Sequence, residues 1–592
     1  MNAIATPAIP TAARNGTNPM NLADFYKTGH PGMYPEETEM LVASFTPRAD
    51  KYASVRHSPF YDHKVVWFGH TGFIKEFLIE KFNANFFALP KDEAVRKYKR
   101  RVDKALGAGK VAMTQIEKLY DKGVLPLEIR ALPEGSRVNI KVPPVIFVAR
   151  GEFSWLATYF ESLFSCEMWK RSTVATIAFE FRKVLMYFAR LTGTPEEFVN
   201  VQGHDFSMRG MSGVHDAACC GAGHQLSFWG TDTIPAIDYI EDYYNANSDF
   251  ELIGCSVPAT EHSVMTLRIL LLTQRLARDP ANAGKSEKVL RKIAEYELIR
   301  QLVTTDFPTG AISIVADSFD YWNVITEILP SLKEVITGRQ PDELGLAKVV
   351  VRPDSGDPVK IVCGAALEIA ALTSERVIEA LDKGYDHVTV GGRYYAAYRT
   401  EKQEGGWYEV EATPELKGSI ECLWETFGGT VTSKGFKLLD SHIGLIYGDG
   451  ITLERAIAIL TRLMAKGFAS GNIVFGIGSF TYQMNSRDSL AWAVKANYGE
   501  VGGEAVEICK DPATDDGTKR SPKGLLRVVK EGDDYALYDQ QTMEQFNCGE
   551  HVTVFRDSQL LVDEVFRDMR ARLWSSWECP DIPLETFLKM AA

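Results

Sequence analysis

Long apolar runs, Cys-x-x-Cys pairs and a secretion signal are all missing from this sequence, in which only Cys219 and Cys220 are adjacent cysteines. No stretch approaches the roughly eighteen apolar residues that a membrane-spanning helix needs, and residues 1–20 lack the continuous apolar core of a signal peptide. The nine cysteines are scattered and form no Cys-x-x-Cys pair, which zinc and redox centres commonly use. We therefore expect a cytoplasmic protein that has no membrane contact and keeps its thiols reduced.

An excess of positive charge is missing as well. The formal net charge is -13, whereas a general nucleic-acid surface needs clustered lysine and arginine. The sequence also lacks the Gly-x-x-x-x-Gly-Lys-Ser/Thr phosphate loop and an early strand followed by Gly-x-Gly-x-x-Gly. These absences argue against nucleic acid as a partner, and they leave a small anionic ligand held by a few local cations.

The length of 592 residues allows two to four domains. A turn at Gly405-Gly406 between flanks containing aromatic residues predicts an inserted hairpin. We divide the chain into a disordered tail (1–20), an N-terminal mixed α/β domain (21–190), a catalytic β/α barrel (191–500) with an insertion near 394–421, and C-terminal strands and a helix that pack back on the N-terminal domain (501–592).

Five short apolar runs each stop abruptly at small or charged residues. The most informative run ends in Arg352, a proline and Asp354. The runs cover 252–254, 312–315, 349–351, 443–447 and 473–475, and segments 263–278, 320–329 and 453–464 between them show the 3.6-residue spacing of helices. This alternation predicts an α/β fold, an irregular barrel of parallel strands, in which the strand tips form one pocket.

Each tip taken alone also has an ordinary structural explanation. Asp232 after Gly-Thr could be a turn or helix-cap residue, and His262 could be a structural histidine. Arg487 and Lys495 are eight residues apart, so one helix could present both cations to a phosphate or could expose them to solvent. The repetition of the pattern is what favours a binding site.

In chain order, the tips resemble the motifs of the nicotinamide phosphoribosyltransferases, in the type II, nicotinate phosphoribosyltransferase-like family. The resemblance extends from residue 22 to about residue 525. The matching strings are Asp24-Phe25-Tyr26-Lys27 with His30, His204-Asp205-Phe206-Ser207-Met208-Arg209-Gly210, Gly230-Thr231-Asp232-Thr233, Glu261-His262, Asp317-Ser318-Phe319-Asp320, Arg352-Pro353-Asp354-Ser355-Gly356, Gly448-Asp449-Gly450 and Arg487-Asp488.

The resemblance implies transfer of the phosphoribosyl group of phosphoribosyl pyrophosphate to the ring nitrogen of nicotinamide. The products would be nicotinamide mononucleotide, used in NAD salvage, and pyrophosphate. By resemblance, Phe206 and Arg352 stack on the two faces of the pyridine ring, and Tyr26 also contacts nicotinamide. Asp232 would accept a hydrogen bond from the carboxamide and would repel the carboxylate of nicotinate.

The resemblance also implies how phosphates and ribose are held. The catalytic group would be His262, Asp317 and Asp354, with His262 phosphorylated by the cosubstrate ATP. Asp317 and Asp354 would also hold Mg2+ through water. The remaining phosphate and ribose contacts would come from Asp24, Arg209, Ser256, Gly448, Asp449, Gly478, Ser479, Arg487 and Lys495.

A homodimer with active sites at its interface follows from the same resemblance. In the family, the residues that match Asp24, Tyr26, Arg487 and Lys495 reach into the partner subunit's site. This chain departs from the family at Gly478-Ser479-Phe480, where a further glycine pair is common, and in its longer insertion. The insertion could be a lid, an oligomer contact or an element without function.

Three alternatives stay open. A nicotinate phosphoribosyltransferase would share the barrel, the histidine and the phosphate chemistry, and Asp232 is the residue that argues against it. A barrel hydrolase could use Glu261 and Asp354 as paired carboxylates, but it would leave Arg352 and the other arginines unexplained. A non-catalytic nucleotide-binding barrel is the third, because a fold does not determine function.

Overall fold

A computed structural model describes residues 16–343, 345–509 and 522–591. The strands are β1 (Thr38–Pro47), β2 (Lys64–Val66), β3 (Glu128–Ala131), β4 (Arg137–Asn139), β5 (Val145–Arg150), β6 (Gly203–Phe206), β7 (Ile312–Val315), β8 (Val349–Arg352), β9 (Ala366–Glu368), β10 (His387–Val390), β11 (Arg393–Arg399), β12 (Gly405–Val410), β13 (Gly429–Val431), β14 (Lys437–Leu439), β15 (Ile443–Tyr447), β16 (Ile473–Gly478), β17 (Trp492–Val501), β18 (Glu504–Glu507), β19 (Leu525–Glu531), β20 (Asp534–Gln541), β21 (Val552–Arg556) and β22 (Gln559–Leu560).

The α-helices are α1 (His70–Phe73), α2 (Lys91–Leu106), α3 (Thr114–Lys122), α4 (Leu156–Tyr159), α5 (Glu161–Thr192), α6 (Val199–Gln202), α7 (Val214–Gln225), α8 (Ile234–Tyr243), α9 (His262–Arg278), α10 (Glu287–Gln301), α11 (Tyr321–Asn323), α12 (Leu329–Ser331), α13 (Lys333–Thr337), α14 (Pro358–Cys363), α15 (Ser374–Asp382), α16 (Pro414–Lys417), α17 (Ser419–Phe427), α18 (Leu453–Ala465), α19 (Ser479–Gln483), α20 (Met543–Phe546), α21 (Phe566–Ser575) and α22 (Leu584–Ala591). Short 3-10 and π-helical segments lie between them.

The parallel sheet carries the strand tips. Its order is β6-β16-β15-β8-β7, and all its pairings are parallel. The predicted runs 312–315, 349–351, 443–447 and 473–475 all lie in its strands, so the prediction of an α/β fold built on parallel strands is confirmed. Their valine and isoleucine content suits strands that are buried on both faces.

Irregular pairing replaces one predicted strand. Segment 252–254 forms no regular strand, and the chain around it makes only isolated parallel bridges, Gly230 with Cys255 and Ala259 with Ser313. A further bridge joins Asp205 to Thr231, so bridged segments connect the two edge strands β6 and β7. Pro258 has no N–H to give to a ladder, which accounts for the irregularity.

A second, largely antiparallel sheet has the order β18-β17-β1-β5-β3-β21-β22. The boundary expected at residue 500 is therefore wrong for β17, which pairs with β1 (Ser44 opposite Lys495) and leaves the parallel unit. The C-terminal β21 pairs with β3. The C-terminal helix α21 begins at Phe566, and Gln559–Leu560 before it pairs with β21 as β22.

Helix α5 lies behind both sheets and is buried on most sides. Burial on most sides is typical of a helix inside a core, and in α5 it includes charged residues such as Arg171 and Lys183. Among the helices of the described ranges, none is long and apolar enough to cross a membrane. The tail expected to be disordered over 1–20 is ordered by residue 18, since Met20 is fully buried and accepts a hydrogen bond from Tyr159. Residues 1–15 lie outside the described residues.

The insertion is a small sheet of its own, with the order β12-β11-β10-β9 and with α15 packed on it. The predicted turn at Gly405-Gly406 is wrong, because the chain turns at 400–404 and both glycines lie in β12. A Cβ on Gly405 would lie 2.5 Å from the Ser374 carbonyl oxygen, and one on Gly406 would lie 2.6 Å from the Tyr398 ring. Close approach explains these glycines.

The two ends of the insertion meet. Gly364 and Gly418 have φ values of +99° and +84°, and a Cβ on Gly418 would lie 2.2 Å from the Gly364 nitrogen. Arg462 of α18, in the parallel unit, binds this insertion module. Its guanidinium donates to both Glu368 carboxylate oxygens and to the carbonyls of Gly364 and Ala366. The two ends of the insertion therefore lie together, and Lys360 and Glu421 outside it make further contacts with Gly384 and Tyr394.

We expect the parallel unit to fold without the insertion. Replacing residues 366–416 by two glycines should leave β7, β8, β15 and β16 as protected from hydrogen exchange as in the full chain, because the module has its own core. In the full chain, Arg462→Met should lower the free energy of unfolding by about 3 kcal/mol, because it leaves the Glu368 carboxylate without its cation. Loss of exchange protection in those four strands of the shortened chain would contradict the prediction.

Candidate active site

A cavity of about 600 Å³ opens at the carboxyl ends of β6, β8, β15 and β16. Strand tips converge there because all four strands run in the same direction. Nine predicted site residues line it, namely Phe206, Arg209, Asp232, Arg352, Asp354, Gly448, Asp449, Gly478 and Ser479. The cavity is also lined by four residues that had no expected role, Met208, Thr233, Gly450 and Phe480.

Phe206 lies on a floor of glycine. It ends β6 opposite Gly478. A Cβ on Gly476 would lie 2.3 Å from the Phe206 ring, and one on Gly448 would lie 2.5 Å from it. Only glycine at these two positions lets the ring lie against the backbone of β16 and of the turn after β15, so it presents an aromatic face to the cavity.

Arg352 ends β8 at the same cavity. Its Nη2 donates to the Thr260 carbonyl oxygen at 2.9 Å, which fixes the direction of the guanidinium. Its Nε is buried and has no hydrogen-bond partner among the described residues. A planar ligand that accepts hydrogen bonds or stacks on the guanidinium would complete this group.

Asp232 is held by two donors on one oxygen. His204 Nε2 donates to Oδ1 at 2.9 Å and Ser256 Oγ donates to the same atom at 2.5 Å, while the Asp232 N–H donates to the Asp205 carbonyl. Burial raises the pKa of Asp232, but His204, Ser256 and the charge of Arg352 outweigh it and hold that pKa below its usual value. An ionised carboxylate with Oδ2 left to accept faces the cavity.

Two of these residues differ from expectation. Ser256 was assigned to phosphate or ribose, but its hydroxyl binds Asp232, so the structure places it beside that carboxylate. His204 was not among the expected site residues. It precedes Phe206 by two residues on β6, so both side chains lie on the same face of the strand, and this spacing could have identified it.

His262, Asp317 and Asp354 form one polar cluster. His262, the first residue of α9, donates from Nε2 to Asp317 Oδ1 at 3.0 Å, and its Nδ1 lies 3.9 Å from Asp354 Oδ2. Asp317 Oδ2 accepts from the Asp354 N–H and from Ser355 Oγ. Burial raises the pKa of Asp354, and repulsion from Asp317 and Asp449 adds to this against the charges of Arg352 and His262. Such repulsion is what a bound cation relieves.

Four predicted residues lie elsewhere. Asp24, Tyr26 and Arg487 line a second cavity of about 490 Å³, and Lys495 lines a third of about 740 Å³. The single helix expected to carry both cations does not exist, because Arg487 lies in a 3-10 turn and Lys495 in β17. Eight residues is an even spacing, so it also fits one face of a strand.

Arg48 is a further cation that the sequence argument missed. It lines the cavity of Lys495, and its Nε donates to the Ala491 carbonyl oxygen at 3.0 Å. Burial lowers its pKa, and the nearby charge of Arg487 lowers it further. Three cations therefore cluster at this surface, although no sequence motif around Arg48 indicated it.

Comparison with known proteins identifies relatives. The profile of the Nicotinate phosphoribosyltransferase (NAPRTase) family matches residues 201–550. A nicotinamide phosphoribosyltransferase of Acinetobacter baylyi is 46% identical over 557 residues, covering 94% of this chain and 97% of the relative. One of Xanthomonas campestris is 30% identical, covering 76% and 79%. The structure of human Nicotinic Acid Phosphoribosyltransferase aligns over 93% of both chains with 13% identity and a TM-score of 0.45.

Glu295 of α10 lies behind the loop that carries Asp317. It is 1% exposed and its Oε1 has no hydrogen-bond partner among the described residues. Burial raises its pKa to about 7, and the nearby Asp320 carboxylate adds to this against Lys292 and Arg291. The folded protein therefore prefers a neutral carboxyl here.

We expect Glu295→Gln to change how stability depends on pH. An unfolded glutamate titrates near 4.5. Between that pH and about 7 the folded state binds more protons, so wild-type stability falls as pH rises through this window. The variant should match wild type at pH 4 and exceed it by at most about 3 kcal/mol at pH 8, measured by urea unfolding. Glu297→Gln, a half-exposed control on the same helix, should show no such trend; parallel pH curves for wild type and Glu295→Gln would contradict the prediction.

Proposed function

Because the chain belongs to the nicotinate phosphoribosyltransferase family, we propose that it transfers the phosphoribosyl group of phosphoribosyl pyrophosphate to nicotinamide. The products are nicotinamide mononucleotide, for NAD salvage, and pyrophosphate. The observation that carries the choice of acceptor is Asp232, whose depressed pKa keeps it ionised in the cavity. The names of the curated relatives support the same acceptor.

The acceptor ring is held between Phe206 and Arg352. The aromatic face lies on its glycine floor, and the guanidinium is anchored by Thr260, so neither has to reorganise when a flat ring enters. Stacking on both faces leaves the ring edge free for directional hydrogen bonds. The ring nitrogen then points to the polar part of the cavity, where the ribose is bound.

Asp232 selects the carboxamide. Its Oδ1 is already occupied by His204 and Ser256, so Oδ2 accepts the N–H of nicotinamide. Nicotinate would bring a second carboxylate to this oxygen and would meet repulsion in a partly buried site, which costs more than in water. The same two donors therefore both orient Asp232 and keep it charged.

The polar cluster stabilises charges that develop during the reaction. Loss of pyrophosphate breaks the C–O bond at the anomeric carbon, leaves positive charge on the ribose and puts the electron pair on the leaving oxygen. Asp354, with Asp317 and Asp449 nearby, stabilises the cationic sugar and grips its hydroxyls, and Arg209 at the cavity mouth attracts the anionic leaving group. The nicotinamide nitrogen pair then forms the new C–N bond.

We assign His262 as the residue that ATP phosphorylates. Its Nε2 proton is donated to Asp317, so the lone pair lies on Nδ1, which would attack the γ-phosphorus of ATP with ADP as the leaving group. Phosphohistidine next to Asp354 would add anionic oxygens at the pyrophosphate side. Asp317 thus fixes the tautomer as well as the position of the ring.

Mg2+ fits the same cluster. No three His, Cys, Asp or Glu side chains of the described chain converge into a metal cage. Asp317 and Asp354 still suit Mg2+, which is commonly held by one or two carboxylates, waters and substrate phosphates. When bound, it would neutralise charge on the pyrophosphate.

We propose a homodimer, which the position of four expected site residues outside the cavity supports. Asp24, Tyr26, Arg487 and Lys495 lie at other cavities of the same protomer. We propose that a second protomer brings this surface to the mouth of the first protomer's cavity, where the Arg48, Arg487 and Lys495 cluster would face the phosphates. We also propose a cytoplasmic location, in line with nine free thiols.

The experiment that tests the function measures product from phosphoribosyl pyrophosphate and Mg2+ with nicotinamide or nicotinate, each with and without ATP. We expect nicotinamide mononucleotide only, with stimulation by ATP. Asp232→Asn should lower kcat/KM for nicotinamide roughly 10- to 100-fold, because it removes a hydrogen bond to a charged acceptor. It should also reduce the ratio of kcat/KM for nicotinamide to kcat/KM for nicotinate. Asp238→Asn, at an exposed position of α8, is the control. Product from nicotinate alone would assign the rival activity, and no product from either acceptor would reject the proposal.

The shared site predicts complementation between two inactive variants. Asp24→Ala and Arg352→Ala should each impair the homodimer. A mixed dimer, isolated with two different affinity tags, would contain one site with both defects and one intact site, so we expect about half of wild-type activity. Activity equal to the mean of the two parent homodimers would show that the sites are not shared.

A further inference from the structure

His224 is a fully buried histidine outside the cavity lining. It lies in the last turn of α7 and is 0% exposed. Burial lowers its pKa, so the ring is neutral and carries one donor and one acceptor nitrogen. Neither the family motifs nor the reaction assigns it a role.

Both ring nitrogens are used. Nδ1 accepts from the Tyr482 hydroxyl at 2.6 Å, and Nε2 donates to the Gly230 carbonyl oxygen at 3.1 Å. The imidazole therefore joins α19, which contains Tyr482, to the segment that leads to Asp232. A rigid ring with a donor and an acceptor on separate nitrogens is well suited to connect two such groups.

On the acceptor side, the chain of hydrogen bonds continues to Asp232. The Gly230 carbonyl also accepts from the Asp205 N–H, and the Asp205 carbonyl accepts from the Asp232 N–H, at 3.0 Å each. The Asp205 carboxylate accepts from the Ser207 N–H at 2.9 Å, next to Phe206. One connected network therefore supports both Asp232 and the stacking ring.

On the phosphate side, the same path reaches the glycine turn. Tyr482 is 1% exposed, and α19 begins at Ser479, which lines the cavity. Thr481 of the same helix donates to the Ile451 carbonyl oxygen, just after Gly450. A shift of α19 on binding phosphate would therefore move Tyr482.

We propose that Tyr482 and His224 are positioning residues that couple the phosphate side of the site to the nicotinamide side. The inference rests on the proposed function and deepens it. With the relay intact, α19 holds Gly230, and Gly230 holds Asp205 and Asp232 in the geometry that receives the carboxamide. Neither residue touches substrate, and both act through the backbone.

Tyr482→Phe tests the relay with the smallest change. It removes one hydroxyl and leaves the ring, so we expect about a 5-fold higher KM for nicotinamide, the value of one lost neutral hydrogen bond. Tyr187→Phe is the matched control, because Tyr187 is also buried and donates to a carbonyl, that of Ile582, away from the cavity. A wild-type KM in Tyr482→Phe with only a lower Tm would overturn the proposal.

A second readout does not depend on activity. Hydrogen exchange of the Thr231 and Asp232 amides should become faster in Tyr482→Phe and in His224→Gln, and no faster still in the double variant, because both changes break one path. Unchanged exchange in both variants would refute the relay even if the wild-type enzyme formed no product. Absence of product with changed exchange would instead count against the proposed function alone.

Discussion

The register of the parallel sheet is the constraint on which the site depends. Phe206 lies opposite Gly478, Tyr447 opposite Phe475, and Val351 opposite Leu445. This alignment brings the ends of four strands to one cavity, so that an aromatic ring, a guanidinium and glycine turns face one space. A slip of one residue in β6 would turn Phe206 away from that space and would bring a side chain onto the glycine floor.

Sequence patterns predicted the structure best in segments whose burial and whose spacing of apolar residues indicate the same element. The runs at 312–315 and 443–447 match the bounds of β7 and β15, and the 3.6-residue spacing at 263–278 matches α9 after its first residue. The apolar side chains of these segments face the core, so tertiary contacts stabilise the same secondary structure that the local sequence favours. The ends of β6, β8, β15 and β16 supply eight of the nine predicted site residues in the cavity, and Asp232 is the ninth.

The failures have physical causes that one sequence does not display. Gly405 and Gly406 were predicted to form a turn, yet Gly405 makes room for Ser374 of α15 and Gly406 makes room for Tyr398 of the paired strand β11. Lys495 fitted a helical spacing and a strand spacing equally well. His204 and Arg48 are defined by partners that only the fold brings near. Contacts between distant segments determined each of these outcomes.

Cations are concentrated at a few places on the protomer. Arg209 and Arg352 line the main cavity together with carboxylates, whereas Arg48, Arg487 and Lys495 lie at other cavities. An acidic chain can in this way bind a highly anionic substrate without a generally basic surface.

The closeness of the two ends of the insertion bears on the history of the chain. A module that enters at Gly364 and leaves at Gly418, with its own small core, can be gained or lost in one genetic event without disturbing the register of neighbouring strands. The same junction is a natural place to graft a foreign domain, for example a fluorescent reporter. Evolution could therefore have modified this outer element independently of the chemistry at the strand tips.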